Sequence, residues 1–143
     1  MTAKEYLLQP SRLKEEIRED IDNLADMRAI VGKVTRELSF TAGRCPSKDT
    51  HSFETHMLDI TEEERKIWEK EERLKELLLE VLAAINLVKN SKKRRLLKMR
   101  YIQGLTWSRI ASELYIGERY VYDLHLAALQ DFAEILKLRS IPQ

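Results

Sequence analysis

The chain has one cysteine, three prolines and four glycines in 143 residues. Cys45 alone cannot close an internal disulfide, so a reducing compartment is expected. With so few glycines and prolines, each one that occurs marks a break worth reading. No stretch reaches the ~18 unbroken apolar residues of a membrane span. The opening "MTAKEYLLQPSRLKEE" has no apolar signal core and turns acidic early, so neither a leader nor a membrane contact is expected. Catalytic signatures are also missing. There is no glycine-rich phosphate loop, no nucleophile elbow and no carboxylate cluster suited to a pocket. Cys45, His51 and His56 are close in sequence, but their spacing matches no zinc pattern. An enzyme is therefore not expected, nor a metal or cofactor.

Charge is plentiful. Charged residues make up 34% of the chain and hydrophobic residues 43%, a composition suited to a soluble, helix-rich protein. The net charge of +1 conceals a split. Residues 1–90 hold 15 Lys/Arg against 19 Asp/Glu, and residues 91–143 hold 10 against 5. A basic C-terminal unit that binds a polyanion, joined to a more acidic one, is the reading this supports. The change comes at "NSKKRRLLK", where Lys92, Lys93, Arg94 and Arg95 are consecutive.

The apolar spacing predicts an all-α fold. A first helix is expected over residues 3–38, with a kink or restart at Pro10, which lacks a backbone donor. Its apolar positions Ile17, Ile21, Leu24, Met27, Val31, Val34 and Leu38 form a narrow stripe. Residues 39–52, with Gly43 and Pro46, read as a loop. A second helix, roughly 55 Å long, is expected over residues 53–89. Its seam is Phe53, Met57, Ile60, Glu64, Ile67, Glu71, Leu74, Leu78, Val81, Ile85 and Val88, in steps of 4 and 3 that mark a coiled coil. The two stripes fit one antiparallel register. Leu38 meets Phe53, Val34 Met57, Val31 Ile60, Leu24 Ile67, Ile17 Leu74, Leu13 Leu78 and Tyr6 Ile85, each pair summing to 91. Residues 1–90 are thus read as a helical hairpin for assembly or partner binding. Glu64 and Glu71 interrupt its seam, to be matched by Arg28 or Arg18 or left facing water.

Residues 91–143 carry a different pattern. "SKKRRLLKMRYIQ" is helical, Gly104 suits a left-handed helix end, and Thr106 suits an N-cap. "WSRIASEL" makes a short helix, "YIG" a tight turn with Gly117 as the next N-cap, and a further helix follows from Glu118. Ile110, Ala111, Leu114, Ile116, Val121 and Leu124 occupy the positions that a helix-turn-helix core requires.

The run "LLKMRYIQGLTWSRIASELYIGERYVYDLHLAAL", residues 96–129, also resembles the fourth region of bacterial sigma-70 factors. It is more similar still to the small sigma-like regulators of phages of Gram-positive bacteria, the ArpU-type and RinA-type late transcription activators. The words "RYIQGLTW", "IASEL" and "ERYVYDLH" carry the likeness, and "MTAKEYL" before a helical hairpin matches one branch more loosely. The resemblance implies promoter-type DNA binding and activation of late genes. It departs at Tyr115, where glycine is usual in the turn, and at Gly117, where serine usually caps the recognition helix.

In such a head the start of the second helix enters the major groove. Glu118, Arg119, Tyr122 and Asp123 are the expected base contacts: Arg119 on a guanine edge, the carboxylates on cytosine, Tyr122 on a thymine methyl or a phosphate. Thr106, Trp107, Ser108 and Arg109 are the expected phosphate contacts at the supporting helix, joined by Lys92, Lys93, Arg94 and Arg95. His125 is expected at the surface or facing DNA. The expected partners are double-stranded promoter or operator DNA, host RNA polymerase and a second copy through the hairpin, in the nucleoid-associated cytoplasm of a bacterial host. A phage DNA-packaging recognition subunit is the first rival, although its DNA head more often comes first in the chain. A helical adaptor that binds protein instead of DNA is the second.

Overall fold

The computed structural model describes residues 1–41 and 48–140, with side chains over 1–37 and 53–139. All the regular elements among the described residues are helical. They are α1 (Ala3–Thr41), α2 (Lys48–Ile85), α3 (Ser91–Leu97), a π-helical turn (Lys98–Ile102), α4 (Trp107–Leu114) and α5 (Glu118–Ser140). None is long and apolar enough to cross a membrane. The expected loop narrows, because α1 extends to Thr41 and α2 begins at Lys48. Cys45, the side chain of His51 and the expected Leu38–Phe53 pairing lie outside the described residues.

Two compact units divide the chain. Residues 13–73 form one; residues 1–12 together with 74–140 form the other. The second unit therefore takes in stretches that the sequence assigned to the N-terminal region.

Within residues 13–73, α1 and α2 run antiparallel. Lys70 Nζ donates to Asp20 Oδ2 at 2.6 Å, and Arg28 pairs with Glu64. Moving eight residues forward on α1 thus moves six back on α2. Glu64 interrupts the apolar seam and is matched by Arg28; Arg18 pairs instead with Glu15, one turn back on its own helix. Ile17, Leu24, Ile60 and Ile67 are buried, two per helix and seven apart, as a heptad seam requires. Ile21, Val34, Phe53 and Met57 remain about half exposed. The seam is dry in its middle and open at one end, where Val31, Gly32, Phe53 and Met57 line a groove of about 530 Å³. On the outer face of α2, Arg65 bridges Glu62 and Glu69, the i−3 and i+4 neighbours that a helix brings within reach.

The other unit holds the larger core. Leu7 from α1 and Val81, Ala84 and Ile85 from α2 meet Leu96, Leu97, Ile110, Val121 and Phe132 with almost no exposure. Each of the Val, Leu, Ile and Phe side chains among these contributes roughly 1.5–3 kcal/mol. Thr2 starts α1 with a reciprocal cap: its amide donates to Glu5 Oε2 at 2.9 Å, and Glu5 N donates to Thr2 Oγ1 at 3.2 Å. The bond from the Thr2 amide holds the Glu5 carboxyl below its ordinary pKa.

Four local expectations are corrected here. The helix does not restart at Pro10 but runs through it, with the ring buried in the core. α2 stops at Ile85 and not at 89. Its last turn tightens (Leu87 N to Ala84 O, 3.1 Å; Val88 N to Ile85 O, 3.0 Å), and Asn90 Oδ1 accepts from Lys93 N at 3.1 Å to start α3. Leu77 is buried, whereas the expected seam residue Leu78 is only partly so. Finally, residues 98–102 wind as a π turn, closed by Gln103 N to Lys98 O at 3.0 Å. Gly104, at φ +71°, then ends the segment in the left-handed region expected of it.

Candidate nucleic-acid interface

α4 opens on Thr106, whose Oγ1 accepts from the Arg109 amide at 3.2 Å. It closes through Ile116 N to Ala111 O at 3.0 Å and Tyr115 N to Ser112 O at 3.2 Å, the paired bonds of a Schellman end. That ending needs a left-handed residue, and Tyr115 supplies it at φ 55°, ψ 44°. A side chain is disfavoured there, and the phenol makes no compensating contact, being 94% exposed. α5 then begins with Val121 N donating to Gly117 O at 3.1 Å. Ile110, Ala111, Leu114, Val121 and Leu124 are buried between the two helices, with Ile116 partly so.

Above this core the first two turns of α5 present Glu118, Arg119, Tyr122 and Asp123, all exposed. Thr106, Ser108 and Arg109 are exposed at the start of α4, and Arg109 lies 3.8 Å from Glu113 one turn along. The basic run divides. Lys92 and Arg95 are exposed. Lys93 Nζ donates to Asp131 on α5 at 2.9 Å, and an Arg94 guanidinium N–H donates to the Val88 carbonyl at 2.8 Å. Two of the four cations thus fasten α3 to its surroundings, and two face outward.

Trp107 belongs to a packed cluster. The Arg100 guanidinium sits 4.4 Å from the indole centroid and donates to the Leu105 carbonyl at 3.0 Å. His125 approaches the indole at 4.5 Å between centroids, and Tyr122 at 5.7 Å. The Tyr101 hydroxyl and His125 Nε2 share a hydrogen bond of 2.7 Å. His125 is consequently not a surface or DNA-facing group: only 8% of it is exposed. Burial, followed by the nearby charges of Lys4 and Arg100, lowers its pKa to about 4, so the ring is neutral at pH 7. Burial raises that of Tyr101.

No protein-family model, curated protein or solved structure matches this chain.

Arg100 has no expected role, Tyr101 is expected only as an apolar position of its helix, and His125 at the surface, so the Arg100 stack and the Tyr101–His125 bond were missed. A signal for His125 was present. Val121, His125, Ala128 and Phe132 step by 4, 3 and 4, which puts the imidazole on the buried stripe of α5. Nothing comparable announces Arg100, whose neighbours are set by the π turn.

Proposed function

We propose that this chain is a sequence-specific DNA-binding transcription regulator. In this reading α4, its turn and α5 act as a helix-turn-helix, and α5 lies in the major groove. Arg119 reads a guanine edge, Tyr122 lies against a thymine, and Glu118 and Asp123 accept from cytosine or repel misplaced phosphates. Thr106, Ser108, Arg109, Lys92 and Arg95 hold backbone phosphates. The observation that carries the reading is the contiguous exposed set Glu118, Arg119, Tyr122 and Asp123, standing on a dry α4–α5 core beside the capped start of α4.

The antiparallel α1–α2 pair over residues 13–73 is read as a hairpin that serves assembly or contact with RNA polymerase. Its open groove near Phe53 and Met57 supports a partner-facing role. The resemblance of residues 96–129 to sigma region four favours promoters as targets and late phage genes as the regulated set.

Selection of duplexes from a random library by the full-length protein tests the proposal, followed by capture of fragments from its own genome. A defined motif that lies in promoters is the expected result. A motif at a packaging-initiation site would transfer the head to DNA packaging. No motif, with affinity for random duplex equal to that for any selected pool, would sink the DNA reading in favour of a protein-binding adaptor.

A further inference from the structure

Arg100 is a cation that no carboxylate among the described residues partners, yet it is held on two sides. It donates to the Leu105 carbonyl, in the loop between the π turn and α4, and its flat guanidinium covers one face of Trp107. Trp107 in turn touches α5 twice, at Tyr122 and at His125. The next residue of the π turn, Tyr101, locks His125 through its hydroxyl. Adjacent residues of one turn therefore grip the start of α4 and the second turn of α5. Tyr122 is the member of the cluster that emerges from it: about half its surface is exposed, and its ring leans on Trp107 at 52° between planes.

A tyrosine on a solvated helix face samples several rotamers, and fixing one costs entropy when DNA binds. A ring already braced by an indole avoids part of that cost. The brace depends on a planar cation: a lysine at this position would keep the charge but lose both the stacking and the rigid fork.

We propose that Arg100 is a specificity-determining positioning residue, which through Trp107 holds the Tyr122 ring in the pose that meets the 5-methyl group of a thymine in the major groove. This rests on the DNA-binding reading above. Arg100 itself need not touch DNA. The chemistry recognised is a methyl group against an aromatic face, and burying one methyl is worth about fourfold in affinity.

The test uses the full-length protein and the duplex it selects from a random library. Each thymine of that duplex is replaced in turn by deoxyuridine, which pairs identically and lacks only the methyl. The parent should lose about fourfold at one position. Arg100→Lys should bind random duplex as the parent does and show the same salt dependence, yet lose that thymine-over-uracil preference. Tyr122→Ala should lose it too. Circular dichroism and thermal midpoint establish that Arg100→Lys is folded. In a Trp68→Phe background, Trp107 emission should change on Arg100→Lys, reporting the lost stacking. Should Arg100→Lys unfold, Trp107→Phe replaces it, and the same loss of discrimination is expected. A parent that selects a motif but is indifferent to uracil everywhere overturns the inference, as does a folded Arg100→Lys that keeps the parent's discrimination. A parent that selects no motif overturns the DNA reading and this inference with it.

Discussion

Acid should loosen the larger core through His125. Its ring is neutral because it is buried, and Lys4 from α1 and Arg100 from the π turn would both repel a proton there. No carboxylate among the described residues offsets them in the cause of its shift; the groups that face it are Tyr101 and Trp107. In the unfolded chain the imidazole titrates near its ordinary value of about 6.5, and in the fold near about 4. Between these values the unfolded state binds the additional proton, so stability rises with pH and is lost on acidification. The full gap corresponds to on the order of 3 kcal/mol, of which about 2 kcal/mol disappears between pH 7 and pH 5. Urea unfolding at several pH values measures this, with His125→Gln as the reference. Glutamine can still bond the Tyr101 hydroxyl but cannot titrate. The variant is expected to be less stable than the parent at pH 7, because it loses the packing on Trp107, and to lose that handicap progressively towards pH 5. Glu5 and Glu62, whose pKa values are lowered, act only at lower pH and are common to both proteins. Parallel pH profiles for parent and variant, or an imidazole proton that titrates near 6.5 by NMR, would refute the reasoning.

Arg119→Ala should cost about 1–3 kcal/mol on the selected duplex and little on random DNA, whereas Arg95→Ala should weaken both alike, as a phosphate contact does; equal losses from both variants at one salt concentration would misplace α5. Tyr115→Gly removes a side chain from a left-handed position at φ 55°. Relief of about 1–2 kcal/mol, less the greater freedom of glycine in the unfolded chain, should leave it more stable by about 0.5–1 kcal/mol, and a lower thermal midpoint than the parent's would contradict this. In a Cys45→Ser background, Leu24→Cys with Ile67→Cys should oxidise within one chain, since both sites are buried where α1 and α2 face each other. Covalent dimers alone, seen on a non-reducing gel, would instead pair these helices between copies.

The long helices and the α4–α5 core were legible because they obey simple periods. Ile17, Leu24, Ile60 and Ile67 follow a heptad, and the helix breaks fall at Gly104 and at Tyr115–Gly117, each containing a residue at positive φ. The exposed faces followed from the same count: Glu118, Arg119, Tyr122 and Asp123 are what remains once Val121 and Leu124 turn inward. Period alone failed where one extra residue per turn or a long-range contact intervened. The π turn shifts the phase after Leu97, which hid the surroundings of Arg100. Lys93 and Arg94 read as free cations because Asp131 is 38 residues away and the Val88 carbonyl has no sequence signature. Pro10 read as a break because the rule weighs a lost hydrogen bond against nothing, whereas here the buried ring adds to the core.

Leu7 is enclosed by residues from Val81 to Phe132, so the first turns of the chain wait for the last helix. A nascent protein leaving the ribosome can zip residues 13–73 together as soon as they are made, since their partners are near in sequence. Tyr6, which packs against Phe132 at 5.8 Å, has no such partner until α5 has been synthesised. This core is thus completed only when residues far apart in the sequence have all been made. Deleting residues 1–12, which carry Leu7, or α5 from Phe132 onward would remove part of that core and not merely a tail.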